Sequence, residues 1–339
     1  MYHKALHWFA VLTACATFLL IIAGGLVTSN SAGLSVPDWP NTYGMFMFSF
    51  PFSKMVGGIL YEHGHRMIAS TVGFLTVVLA FWLWRREERR WVRNLGYWAV
   101  GAVIAQGVLG GITVLFYLPT VISTAHALLA QTFFCITLAI AYVTSREGVS
   151  QPRVREDHAT PSVAKLTTAA AVTVFVQLLL GAWMRHSDAG LAITDVPLTY
   201  GAMLPPTTAD GLAAVNAMRQ HALLDPVSLN QIWIHFAHRM GAIVVAVMLI
   251  RMIVRILREH GSVRELSAPA KALAVLLVAQ ITLGVLTVLT MKDAAVATAH
   301  VATGALILGL VFLTTIRAHR FTPAADGSPV LASPRSTPA

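Results

Sequence analysis

Residues Tyr61–Trp84 read YEHGHRMIASTVGFLTVVLAFWLW, and a second stretch, Asn230–Leu257, reads NQIWIHFAHRMGAIVVAVMLIRMIVRIL. Each opens with ionisable side chains and continues as an apolar run long enough to cross a bilayer core, which takes about 20 residues. A charged or imidazole side chain inside such a run is costly and marks a functional position by default. The two stretches share His-Arg-Met, at His65-Arg66-Met67 and His238-Arg239-Met240, but Glu62 in the first is replaced by His235 in the second.

The rest of the chain has the same character. Of its 339 residues 56% are hydrophobic and 12% charged, against about 25% charged in a soluble domain, and the mean hydropathy is +0.68. Backbone groups in lipid find no water, so spanning segments are helices or closed barrels. Continuous apolar runs of this length are helices, because barrel strands would be about 10 residues long and alternating. Eight spans are expected, at 8–28, 61–84, 94–117, 122–144, 164–184, 230–257, 270–290 and 295–317. The net charge of +9 comes from Lys and Arg between spans. Those at 85–93, 146–165, 251–271 and 317–320 fall on one side, which places both termini of the multi-pass protein in the cytoplasm. No basic face with interleaved aromatics suggests nucleic-acid binding. Cys15 and Cys135, the two cysteines, lie in apolar runs and offer no disulfide framework or thiolate metal site.

An internal repeat organises the spans. Ala32-Gly33-Leu34, Asp38, Pro40 and Tyr43-Gly44 recur 157 residues on, as Ala189-Gly190-Leu191, Asp195, Pro197 and Tyr200-Gly201 (33 to 190). His65-Arg66-Met67 recurs 173 residues on, so the second outer loop has gained sixteen residues; Gln106, Gly110 and Thr124-Ala125-His126 recur 174 residues on, as Gln280, Gly284 and Thr298-Ala299-His300. The expectation is an all-α polytopic membrane protein of two tandem four-helix bundles, related by a pseudo-two-fold axis along the membrane normal. The halves are 1–145 and 164–320, with a cytoplasmic linker over 146–163 and a disordered tail over 321–339. The long outer loops, 29–60 and 185–229, show no obvious helical pattern, and Pro205-Pro206 and Asp225-Pro226 break up the second. Gly24/Gly181 and Gly110/Gly284 are small residues that let helices approach or leave room for a flat ligand.

Each half contributes two intramembrane histidines, His65 and His126, then His238 and His300, at the outer ends of helices running in the same direction. Two imidazoles on parallel helices are the donor set of a bis-histidine haem; the bland alternative is an interfacial hydrogen-bonded histidine. Zinc fits less well, because no third and fourth ligand recur beside each pair. His3, His7, His158, His260 and His319 read as solvated, and His186 and His221 as unrepeated loop residues; His63, matched by Phe236, has the least claim to a role. Arg66 and Arg239 are candidate contacts for haem propionates, or else snorkelling interfacial cations. Glu62 lies three residues before His65 on one helical face, placed as a base or a stabiliser of positive charge; otherwise it is an interfacial carboxylate without chemistry.

GLSVPDWPNTYG (Gly33–Gly44), EHGHR (Glu62–Arg66), the two TAH triplets and AHRMG (Ala237–Gly241), in this order and spacing, resemble the haem A synthase family over residues 8–317. The resemblance implies oxidation of the C8 methyl of haem O to the formyl group of haem A for terminal oxidases, by successive hydroxylations to a gem-diol that dehydrates, with water as oxygen source. It implies that His65 and His126 hold substrate haem O beside a catalytic Glu62, and that His238 and His300 ligate a haem B cofactor. It also implies the lipid bilayer, haem O synthase and oxidase assembly factors as partners, and an electron acceptor it does not identify. Many bacterial members carry a cysteine pair in the first outer loop; Val36 and Thr42 stand at those places here. Two other classes fit the same histidines: a dihaem b-type cytochrome that leaves its haems unmodified, and a repeat-built carrier.

Overall fold

The computed structural model describes residues 2–150, 156–157, 160–320 and 322–323. Its long helices are α1 (Lys4–Ser29), α2 (Gly58–Arg86), α3 (Arg90–Leu115), α4 (Thr120–Val143), α6 (Val163–His186), α8 (Leu229–Glu259), α9 (Arg264–Leu289) and α10 (Ala294–Ala318), with a one-turn helix α5 (Arg146–Val149) and a surface helix α7 (Ala209–His221) between them. The eight long ones are apolar enough to cross a membrane and coincide with the eight expected spans. The widest difference is at α9, which starts at Arg264 rather than 270 and carries Pro269 in its second turn. Polar caps set several starts: Ser228 and Gln231 form a reciprocal capping box on α8, and Asp293 accepts from Ala295 and Val296 at the head of α10.

Within the first half α1 packs on α2, α2 on α3, α3 on α4 and α4 back on α1; in the second, α6, α8, α9 and α10 close the same ring. The halves meet through α1 with α10, α4 with α6, and α4 with α10. Exchanging the halves turns the first of these contacts into the second and returns the third to itself, a reciprocity compatible with a two-fold relation. Ile21, Phe134 and Ala305 form the core of this seam, with Phe18 and Leu138 against them. It is close-packed: a methyl group on Gly309 would stand 2.9 Å from Leu138 and 3.0 Å from Phe134. Each bundle has its own apolar core, around Leu79, Leu83 and Ile140 in one and Leu249, Met252 and Leu273 in the other.

The stretch read as a linker is tied down where it begins. Glu147 pairs with Arg317 at 3.0 Å, and Arg320 donates to Tyr142 Oη and to the carbonyls of Glu147 and Ser150, so the first turn after α4 is fastened to the end of α10. Of the tail read as disordered, Thr322–Pro323 pairs in parallel with Glu156–Asp157; the remainder lies outside the described residues.

Two repeat-matched turns cap the outer ends. Asp38 accepts the backbone N–H of Tyr43 and Gly44 at 2.8 Å each, while Asp195 accepts those of Tyr200 and Gly201. Tyr43 Oη donates to Ser35 O, and Tyr200 Oη to Ala192 O, both at 2.6 Å. Gly44 and Gly201 have φ of +73° and +77°, a left-handed backbone that glycine adopts without penalty. The second loop differs from expectation, because thirteen of its residues fold into α7. The prolines at 205–206 and 226 bracket this helix rather than break it up, and Thr208 caps its start by accepting from Gly211. Buried Arg219 stitches it down, donating to Asp225 O at 2.7 Å, Leu191 O at 2.8 Å and Tyr200 Oη at 3.0 Å.

Removing that guanidinium strands carbonyls that a charged donor satisfies, at a cost of about 1.5–3 kcal/mol. Arg219→Ala should therefore open 209–221 to limited proteolysis while the membrane helices stay protected. The first turn should show an acid threshold. Partial burial opposes charge on Asp38, but the N–H groups of Gly44 and Tyr43 and the nearby Arg66 outweigh it and hold the carboxyl below its ordinary value. A depressed folded pKa gives stability that is present above the unfolded value, about 3.9, and lost as pH falls through the folded one. Hydrogen exchange at Tyr43 and Gly44 should stay slow from neutral pH to about 4 and accelerate below it. Asp38→Asn should abolish that acid step.

Candidate functional site

The four repeated histidines sit within the first three turns of their helices, His65 on α2, His126 on α4, His238 on α8 and His300 on α10. His65 interacts electrostatically with His126, and His238 with His300, so the helices bring together the pairs expected from sequence. Each imidazole lies with its Cε1 edge on a glycine of the adjacent helix. A methyl group on Gly24 would stand 3.2 Å from Cε1 of His65, on Gly110 3.4 Å from that of His126, on Gly181 3.0 Å from that of His238 and on Gly284 3.1 Å from that of His300. The glycines flagged as leaving room for a flat ligand are thus the seats of the rings.

The environments of the ring nitrogens divide the halves. Nδ1 of His65 is buried with no hydrogen-bond partner. Nδ1 of His126 and of His300 are likewise buried with no hydrogen-bond partner. Of the four, only the ring of His238 meets a side chain: Gln177 Nε2 lies 3.0 Å from its Nδ1 and donates to its carbonyl at 2.8 Å, whereas Gln106 Nε2 reaches only the carbonyl of His126, at 3.1 Å. The repeat places Leu20 opposite Gln177, so the first half has no such prop. Imidazole pairs on parallel helices, seated on glycine and short of polar partners, fit bis-histidine ligation of the iron of a flat macrocycle. Among the described residues, the one group of three ligand-type side chains within metal-binding reach, Asp157, Glu259 and His260, lies elsewhere, at the end of α8.

Glu62, His63 and Arg66 form a latch between α2 and the first outer loop. Glu62 is 3% exposed; its Oε2 accepts the N–H of Val36 at 2.7 Å and its Oε1 accepts from Arg66 at 2.6 Å. Arg66 donates further to the carbonyls of Asp38, Asn41 and Val36. Arg239 makes two of the matching contacts, to Leu198 O and Ile193 O. Both arginines therefore use their donors on the loop turns. His235 takes the place of Glu62 in accepting a loop amide, that of Ile193, at 3.3 Å, but brings no negative charge for Arg239.

His63, the residue of the stretch with the least expected role, is 2% exposed. Its Nδ1 shares a 3.0 Å hydrogen bond with Thr42 Oγ1, and its ring packs on Phe50 with centroids 5.1 Å apart. Val36 and Thr42 are both fully buried and are held by Glu62 and His63. The loop also reaches α3: a methyl group on Gly111 would overlap the Trp39 ring at 2.5 Å, beside the Gly110 that seats His126.

Other histidines depart from expectation. His186 is the last residue of α6 rather than a loop residue; its carbonyl accepts from Thr120 Oγ1 at 2.8 Å, and its ring is near enough to His126 to interact with it. His260, read as solvated, is 7% exposed and lies 3.6 Å from Asp157. His7 Nδ1 is bonded to Ala141 O, and His319 Nε2 to Thr168 Oγ1. His158 lies outside the described residues.

The chain is similar to known proteins over most of its length. A protein from Symbiobacterium thermophilum named heme A synthase is 29% identical over 277 residues, covering 80% of this chain and 82% of its own. Proteins of the same name from Halalkalibacterium halodurans and Shewanella oneidensis are 26% and 27% identical, over 92% and 89% of this chain and 95% and 93% of theirs. The family described as cytochrome oxidase assembly protein, COX15-CtaA, matches residues 7–312, from the first turn of α1 to the last turns of α10, and the chain belongs to it.

Proposed function

We propose that this chain is a haem A synthase, a multi-pass bacterial membrane enzyme that oxidises the C8 methyl of haem O to a formyl group. The carrying observation is that a repeated imidazole-on-glycine seat occurs in both halves while a buried carboxylate stands beside only one of them. In this reading His65 and His126 hold haem O as substrate, and His238 and His300 hold haem B as the resident cofactor. The halves 1–145 and 164–320 then act as a substrate domain and a cofactor domain. Both termini face the cytoplasm and the histidines the outer leaflet, as the distribution of Lys and Arg favours.

Conversion of methyl to formyl takes one water and releases four protons and four electrons. Glu62 is the residue placed to receive protons or to stabilise positive charge beside His65, and its partners Arg66 and Val36 N–H keep it oriented. When bound, haem B would supply a one-electron acceptor in the same membrane leaflet. Gln177 fixes the orientation of His238 for that resident group; His65, without such a prop, suits a tetrapyrrole that must enter and leave. Arg66 and Arg239 act first as loop clamps, and a propionate contact would share donors already directed at the loop turns. Haem O synthase and oxidase assembly factors are the partners this role calls for, as supplier and recipient.

In cells that also express haem O synthase, Glu62→Gln keeps an acceptor for Val36 N–H but loses the charge. It should lower extracted haem A by about a hundredfold or more while haem O accumulates. Haem A at the wild-type level would remove Glu62 from the chemistry, and a preparation holding only unmodified haem B would point to an electron carrier instead. The glycine seats give a site-resolved test. Gly24→Ala and Gly110→Ala should deplete haem O, and Gly181→Ala and Gly284→Ala should deplete haem B. At 24, 181 and 284 the methyl crowds a ring at 3.0–3.2 Å and overpacks it by about 1–3 kcal/mol, while at 110 it meets His126 at 3.4 Å and has the weakest effect; chromatography of the extracted haems would reveal both. Loss of both haems from all four variants would contradict the division of labour.

A further inference from the structure

Arg185, in the last turn of α6, points across the seam between the halves. Its Nη2 donates to Ser29 Oγ at 2.8 Å and to Gly25 O at 3.3 Å, both on α1. Ser29 also accepts from Thr298 Oγ1 at 3.0 Å, and a methyl group on Gly25 would stand 3.2 Å from Thr298 Cγ2. Three helices therefore converge on this guanidinium. Gly25 follows the seat of His65, Thr298 lies two residues before His300, and the charge of Arg185 is felt at His300. The repeat places Thr28 opposite Arg185, so the cation belongs to one half only.

Every hydrogen-bond partner of Arg185 is neutral. Among the described residues no carboxylate forms an ion pair with it, and its Nε and Nη1 make no hydrogen bond to the protein. A guanidinium has five N–H donors in a fixed fork, and a charge drawn away from water without a counter-ion is costly. The geometry lacks an anion that presents two oxygens. Arg66 and Arg239 have their donors on the loop turns, which leaves Arg185 as the cation at this level with its fork open.

We propose that Arg185 binds a carboxylate of the tetrapyrrole held by His238 and His300. The proposal rests on the haem-binding reading above and adds the residue that receives the propionate. A fixed cation at that place also favours the reduced, less positive iron.

The test uses the full-length protein purified with its haem. Arg185→Gln retains a donor for Ser29 and the Gly25 carbonyl but removes the charge. It should retain haem B about tenfold less well against an apo-haem acceptor protein, and what remains should titrate at a more negative potential. Arg185→Lys should recover part of the retention and most of the potential. Wild-type stoichiometry and potential in Arg185→Gln would overturn the proposal. His238→Ala is the control for the underlying reading: if that variant keeps its haem B, the site assignment has failed rather than the arginine inference. A second route needs no substitution at 185. In a His65→Ala background, a haem dimethyl ester, whose carboxylates are blocked, should bind about tenfold more weakly than haem B. Equal binding would likewise overturn the proposal.

Discussion

An imidazole lying edge-on against a neighbouring helix has room only where the facing residue lacks a side chain. This contact, made four times, fixes the rest of the architecture. It requires α1 to lie against α2, α3 against α4, α6 against α8 and α9 against α10 at the level of the histidines. These are four of the eight intra-half contacts that close the spans into two rings. In lipid there is no hydrophobic drive for helix association, and packing at small residues takes its place. Here the small residues both bring the helices together and set the ring planes.

Against that common frame the halves differ in a few side chains. The first has Glu62 with Arg66 and an unpropped His65; the second has His235, Gln177 behind His238, and Arg185 at the seam. On the proposed function, each difference suits the second half to a fixed occupant and the first to an exchangeable one with a charged group at hand. Duplication supplies two similar seats, and the side chains that distinguish them are few.

The spans, the repeat and the histidine pairs were legible because they depend on composition and on spacing within one helix or between two copies. The glycines were legible as small residues, but not as seats, since nothing in a linear sequence says which ring Gly24 faces. The latch was not legible at all. Arg66 looked like a propionate contact because its partners, the carbonyls of Val36, Asp38 and Asn41, are backbone groups whose direction depends on the turn around Asp38. The role of His63 is hidden because its counterpart is Phe236, a comparison blind to the hydrogen bond that its ring shares with Thr42. The signals for α7 were present, a Pro-Pro pair and Thr208 ahead of an alanine-rich run, but an insertion has no second copy to be read against. Arg185 and His186 were assigned to the loop because the span was expected to end at 184, and two more residues of helix carry them into the seam.

The contact between Trp39 and Gly111 bears on how two copies of a gene segment drift apart. The repeat-matched positions hold Val196 and Val285. In the first half a larger residue at 111 meets the Trp39 ring, so the helix position can be enlarged only together with a change in the loop. A loop and the helix beneath it are therefore inherited as a unit. Once such interlocks had formed, the two halves could no longer trade single pieces, and the division between them became difficult to reverse.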